Sequence, residues 1–132
     1  MPTVREITYR NVRILSVDVS DTTATDYAGL IQLMETAKEL IASKPPNSVL
    51  CLNNVGKVNF NNQVLEALQQ YMEHNRPYIK KAAVIGLDGL KKIVFKGIIK
   101  LTHRDNIRDF EKEQEALDWL AATDAKGKPS DP

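Results

Sequence analysis

Apolar residues along the chain follow two rhythms, short β-type runs and longer stretches with steps of three and four residues. Val4, Ile7 and Tyr9 form a first strand-like run, and Val12, Ile14, Leu15, Val17 and Val19 a denser second one. Arg10-Asn11 lies between them as a turn, so the two runs read as an antiparallel pair. Beyond Asp21-Thr22-Thr23, the residues Tyr27, Leu30, Ile31, Met34, Ala37, Leu40 and Ile41 make one apolar helical face. Thr23 with Asp26 resembles a capping box, and Pro45-Pro46 stops this helix. Ser48 to Leu52 is a continuous apolar run suited to a strand covered on both faces.

A polar loop over 53–62 leads into a helix with Val64, Leu65, Leu68, Tyr71 and Met72 on its buried stripe, capped by Asn61 or Asn62. Asn75-Arg76-Pro77 ends it, Ala82 to Leu87 is the next buried strand, and Gly86 to Gly89 turns the chain. A helix from Leu90 to about Leu101, a strand near Asn106 to Asp109 and a final helix with Ala116, Leu117 and Leu120 complete the order ββαβαβαβα. Strands alternating with helices imply right-handed crossovers. The expected fold is therefore α/β: five strands, mostly parallel, with about four helices and the first strand added antiparallel. A length of 132 residues suits one domain, assigned to residues 1–122. Residues 123–132 (TDAKGKPSDP) are polar and contain Gly127, Pro129 and Pro132, and they read as a flexible tail.

Several strings resemble the SpoIIAA-like family of STAS-type, anti-sigma-factor antagonist-like bacterial domains. They are Lys44-Pro45-Pro46-Asn47-Ser48-Val49-Leu50, the stretch Asn75 to Gly86 (NRPYIKKAAVIG), Gly89-Leu90-Lys91-Lys92-Ile93 and Glu115-Ala116-Leu117-Asp118-Trp119-Leu120. The similarity spans roughly residues 10–122 and implies a single STAS/SpoIIAA-like domain. In true anti-sigma antagonists a serine after the third strand is phosphorylated by the partner kinase. The corresponding stretch here, NNVGKVNFNN over 53–62, has no Ser, Thr or Tyr, so that switch is chemically impossible at this position. A related fold binds lipids in eukaryotic lipid-transfer proteins.

Composition narrows the partners. Eighteen basic and 17 acidic residues leave a net charge of +1, so no global field draws the chain to nucleic acid or an anionic membrane. The one cysteine, Cys51, excludes an internal disulfide and fits a reducing compartment, and the opening MPTVREITYR has no apolar leader core. A cytoplasmic location is expected. No GxGxxG or P-loop sequence is present, and His74, His103 and Cys51 compose neither a metal set nor a catalytic one. We therefore expect no enzyme activity, no cofactor and no metal.

Three loops converge beyond the carboxyl ends of the parallel strands: Asp18 to Thr25, Asn53 to Asn62 and Gly86 to Gly89. Asn53, Asn54 and Asn59, with Asp88, would offer polar contacts to a partner or ligand there, the simpler role of the asparagines being turns and caps. An enzyme reading would gather Asp18, Asp21 and Asp88 near the sheet edge as paired carboxylates, though nothing in their spacing demands it.

The segment LKKIVFKGIIKL over 90–101 is apolar around about two-thirds of its helical circumference. Leu90, Ile93, Val94, Gly97, Ile98 and Leu101 form the face expected to cover the sheet, with Lys92, Lys96 and Lys100 opposite. Phe95 and Ile99 fit neither group and stand beside the lysines, where they would meet a neighbouring protein, a second copy or lipid; the alternative is cover by another helix of the domain. Lys91 and Lys92 in the first turn favour an anion or an acidic partner. From Arg76 to Arg108 the chain holds nine basic residues against Asp88 and Asp105, whereas Asp109 to Asp124 is strongly acidic; the two segments would neutralise one another within or between subunits.

The first functional expectation is a non-enzymatic, self-associating protein-interaction domain that uses Phe95, Ile99, Lys91, Lys92 and Lys96. The alternative is a small-molecule or lipid carrier, which needs an enclosed apolar pocket of several hundred cubic ångströms, on the usual scale of ligand sites, between the 90–101 helix and the sheet.

Overall fold

Two residues of left-handed backbone start the sheet. Arg10 and Asn11 have φ of 50° and 65°, the paired positive values that let a two-residue turn match strand twist. They join strands β1 (Thr3–Tyr9) and β2 (Val12–Asp18), which pair antiparallel from Tyr9 with Val12 to Thr3 with Asp18. In the computed structural model, which describes residues 3–20, 27–58 and 61–122, helix α1 (Tyr27–Ala42) leads to β3 (Val49–Asn54), α2 (Asn62–Asn75) to β4 (Ile79–Ile85), and α3 (Gly89–Thr102) to β5 (Ile107–Phe110). Helix α4 (Glu113–Ala121) follows. The expected element order is therefore the observed one. The proposed Thr23–Asp26 cap and the 123–132 tail lie outside the described residues.

The sheet runs β1-β2-β3-β4-β5, with β2 to β5 mutually parallel. Each crossover moves the chain one strand along in the same direction, so same-handed connections place α1, α2 and α3 on one face. That face buries Val17, Cys51, Ala82 and Val84 under Leu30, Met34, Ala37 and Ile41 of α1, Val64, Ala67 and Tyr71 of α2, and Phe95 of α3. The opposite face carries Ile14, Leu52, Ala83 and Ile85 under Ala116, Trp119 and Leu120 of α4. Strand residues alternate between these two cores, which is why β3 and β4 are apolar without a break. At about 1.5–3 kcal/mol for each large side chain withdrawn from water, such double coverage is the main source of stability.

Asn61 caps α2 as expected, its Oδ1 accepting from the Val64 amide at 2.9 Å. Lys81 departs from expectation. Counted in the sequence only as one of the nine basic residues between Arg76 and Arg108, it lies in β4 at 1 % exposure. Its ammonium donates to the backbone carbonyls of Trp119 and Ala122 and sits over the Trp119 ring. A cation there is favoured by the negative end of the α4 dipole and satisfies carbonyls that the helix itself leaves open.

Candidate functional site

The described starts of the sheet-end loops, residues 18–20, 53–58 and 86–88, pack against one another. The Val19 amide donates to Asn54 O at 2.9 Å, and the Val55 amide to Ile85 O at 3.0 Å. Gly86, at φ 92°, lies so close to Gly56 that a Cβ added to it would stand 2.8 Å from the Gly56 Cα. Polar side chains here are committed internally. Asn54 Oδ1 accepts from the Gly56 amide, Asn53 Nδ2 donates to Ala83 O, and Asp18 Oδ1 accepts from the Ser20 amide and hydroxyl. Asn53 and Asn54 thus hold backbone in place and are not the free recognition groups anticipated. Asp88 is exposed and starts α3 without a capping hydrogen bond from its side chain. Asn59 and Asp21 lie outside the described residues. The strand order also contains no reversal in its parallel portion, so the crevice that such a reversal opens is not formed.

Helix α3 is rotated from the orientation expected. Phe95 is 8 % exposed and belongs to the core, and Ile99 is half-buried against it. Leu90, Ile93 and Leu101, assigned to the sheet, are instead 75, 68 and 79 % exposed. With 100° per residue, the buried side centres near Phe95 rather than near Leu101, a turn of about 120° about the helix axis. Two forces select this side. The phenyl ring brings more apolar area to the core than any other side chain of the helix. Lys92, on the same flank, is half-buried and paired with Asp109 at 3.7 Å and Glu111 at 3.9 Å, so basic and acidic segments meet within one chain. Lys96 and Lys100 are exposed and Lys91 is half-buried.

Beneath α3 lies a cavity of about 80 Å³ between α1, α2, α3 and the sheet. Val17, Cys51, Ala82, Phe95 and Ile98 are among its walls; it lies where a carrier pocket was expected but falls well short of the several hundred cubic ångströms that expectation required. A groove of about 450 Å³ between α2 and α3 adjoins it, sharing Met72 and Ile98. The few polar groups of the cavity differ in how they are satisfied. Asn53 is anchored as described, and Asn75 Oδ1 lies 2.8 Å from His74 Nδ1. Arg104 donates to Met72 O at 3.0 Å, and burial together with nearby Arg76 lowers its pKa.

The Tyr71 hydroxyl is buried and has no hydrogen-bond partner. Burial holds it well above the usual phenol range; the neighbouring Asn75 side chain offsets a little of this without meeting hydrogen-bond geometry. The Cys51 thiol, in the same wall, is pushed up to about 12 by burial, despite its contact with Asn53 Oδ1. Sequence reasoning placed Tyr71 on the buried stripe and did not single it out. The available signal was a hydroxyl-bearing ring where the stripe otherwise holds aliphatic residues.

Among the described residues no helix is long and apolar enough to cross a membrane, and no cluster of three potential metal ligands occurs. No family model and no curated protein matches the chain. Solved structures do. One is an uncharacterized protein of the DUF3478 family with a SpoIIAA-like fold from Shewanella loihica PV-4, at TM-score 0.64 and 21% identity over 90% of this chain and 93% of that one. Another is an anti-sigma-factor antagonist (STAS) domain protein from Planctomyces limnophilus, at TM-score 0.54 and 17% identity over 90% and 98%. With its five-stranded mixed sheet and ββαβαβαβα order, the chain has the SpoIIAA-like fold.

Proposed function

We propose that this domain is a non-enzymatic, cytoplasmic protein-interaction module that self-associates through the outer face of α3. The observation that carries the reading is the exposure of Leu90, Ile93 and Leu101 on one side of a single helix. Large aliphatic side chains grouped in this way, rather than scattered, mark contact surfaces. Lys96 and Lys100 flank them, and Glu111, Glu113 and Glu115 are exposed near the start of α4, so one copy can offer cations where a second offers carboxylates. This replaces the pair Phe95 and Ile99 with a different set on the same helix. The solved STAS domain protein with this fold supports an interaction role by analogy alone. The test is the oligomeric state of the double variant Leu90→Glu, Ile93→Glu, measured by light scattering after size exclusion. Wild type is expected as an oligomer and the variant as a monomer with unchanged melting temperature; a wild type that stays monomeric at every concentration overturns self-association.

A further inference from the structure

We propose that the cavity beneath α3 is a binding site for a compact apolar molecule carrying one hydrogen-bond-accepting oxygen, which receives the Tyr71 hydroxyl. The cavity and the α3 outer face are separate features, so the inference stands apart from self-association.

Three observations converge on it. The first is space: about 80 Å³ is several times the roughly 10–15 Å³ that admits one water, yet well short of what a long lipid chain needs. The occupant is therefore a small organic molecule. The second is lining. Val17, Cys51, Ala82, Phe95 and Ile98 give it apolar walls, so the body of the occupant is apolar.

The third is an unanswered donor. Tyr71 is 8 % exposed and is one of the cavity's lining residues, and its buried hydroxyl has no hydrogen-bond partner. A buried hydroxyl left unpaired costs about 1–3 kcal/mol, whereas phenylalanine would fill the same place without that penalty. A ligand oxygen removes the penalty. Because burial keeps the phenol protonated, the group acts as a donor and selects an acceptor. The adjoining α2–α3 groove gives a route in past Met72 and Ile98. Arg104, half-buried at the cavity wall, is the feature that would favour a carboxylate over a neutral oxygen.

The experiment titrates the full chain with 1-hexanol, hexanoate and hexane, reading backbone amide shifts by NMR for wild type and for Tyr71→Phe. Saturable shifts at Val17, Cys51, Ala82 and Phe95 are expected with an oxygen-bearing probe, with hexane binding more weakly. In Tyr71→Phe the oxygen-bearing probe is expected to lose up to about tenfold in affinity, the worth of one hydrogen bond, while hexane is unaffected. Preference for hexanoate that vanishes in Arg104→Gln identifies the carboxylate form; equal binding of hexanol identifies the neutral form. Absence of saturable shifts with all three probes, or undiminished binding of the oxygen-bearing probes to a folded Tyr71→Phe protein, overturns the proposal.

Discussion

The ammonium of Lys81, in the fourth strand, donates to the main-chain carbonyl of Trp119, in the last helix. That contact fastens α4 to the sheet from inside, where a charge would otherwise be costly. Its second acceptor, Ala122 O at 2.8 Å, lies at the helix end.

Replacing Lys81 by Met keeps the stem and removes the donors. Each charge-assisted hydrogen bond is worth about 1.5–3 kcal/mol, partly offset by relief of ammonium desolvation, so a net loss of about 1–3 kcal/mol is expected. Urea unfolding measures it. Hydrogen exchange should show the loss concentrated in Ala116 to Leu120; a variant as stable as wild type would mean that the lysine is tolerated and not required.

The rotated α3 makes opposite forecasts for neighbouring residues. Phe95→Ala should cost about 3–5 kcal/mol through lost contact and residual cavity, and Phe95→Asp should prevent folding. Leu90→Ser, on the exposed side, should stay within about 0.5 kcal/mol of wild type. Thermal melts of the variants decide between this orientation and the reverse.

Cys51 should be inert in the folded protein. A thiol held at about 12 in a buried wall has almost no thiolate at neutral pH, and reaction requires thiolate and access. Labelling with an aromatic disulfide reagent should be slow in buffer and stoichiometric in denaturant. Rapid native labelling would place the strand in another environment.

A surface clip links the first hairpin to α4. The Tyr9 hydroxyl donates to Asp118 Oδ1 at 2.5 Å, Gln114 donates to Tyr9, and Arg10 pairs with Asp118 at 3.2 Å. The hydrogen bond from Tyr9 lowers the Asp118 pKa below its ordinary 3.8, and the same bond raises that of Tyr9. A carboxyl whose folded value is depressed contributes stability above its unfolded pKa, and that contribution disappears as pH falls through the folded value. NMR titration of Asp118 should therefore show an upward shift in Tyr9→Phe, with the acid limb of stability altered only below about pH 4.

Where the sequence is one-sided, it specifies structure well. Of the α2 stripe read from the sequence, Val64 and Tyr71 are buried and Leu65, Leu68 and Met72 half-buried, because the other flank of that helix is polar, and Asn61 caps it for a local reason. Element order and sheet direction follow from such segments. In α3 the apolar residues encircle most of the helix, so periodicity leaves the choice of face to packing by Phe95 and the Lys92 ion pairs. Lys81 was illegible because a lysine two residues into a strand looks like its neighbour Lys80; only the position of α4 distinguishes them. The cavity was equally hidden, since a missing volume and an unpaired hydroxyl are properties of three-dimensional arrangement.

The uninterrupted strand order has a consequence for assembly. Neighbours in the sheet are also neighbours along the chain, so each β-strand can dock onto the one made just before it and close only a modest loop. Growth of this kind proceeds as the polypeptide emerges, without waiting for distant segments. Helix α4 must reach back to β3, β4 and the β1–β2 hairpin, and until it does the Lys81 cation lacks its carbonyl acceptors. The final helix therefore acts as a lock on a sheet that the earlier units have already laid down.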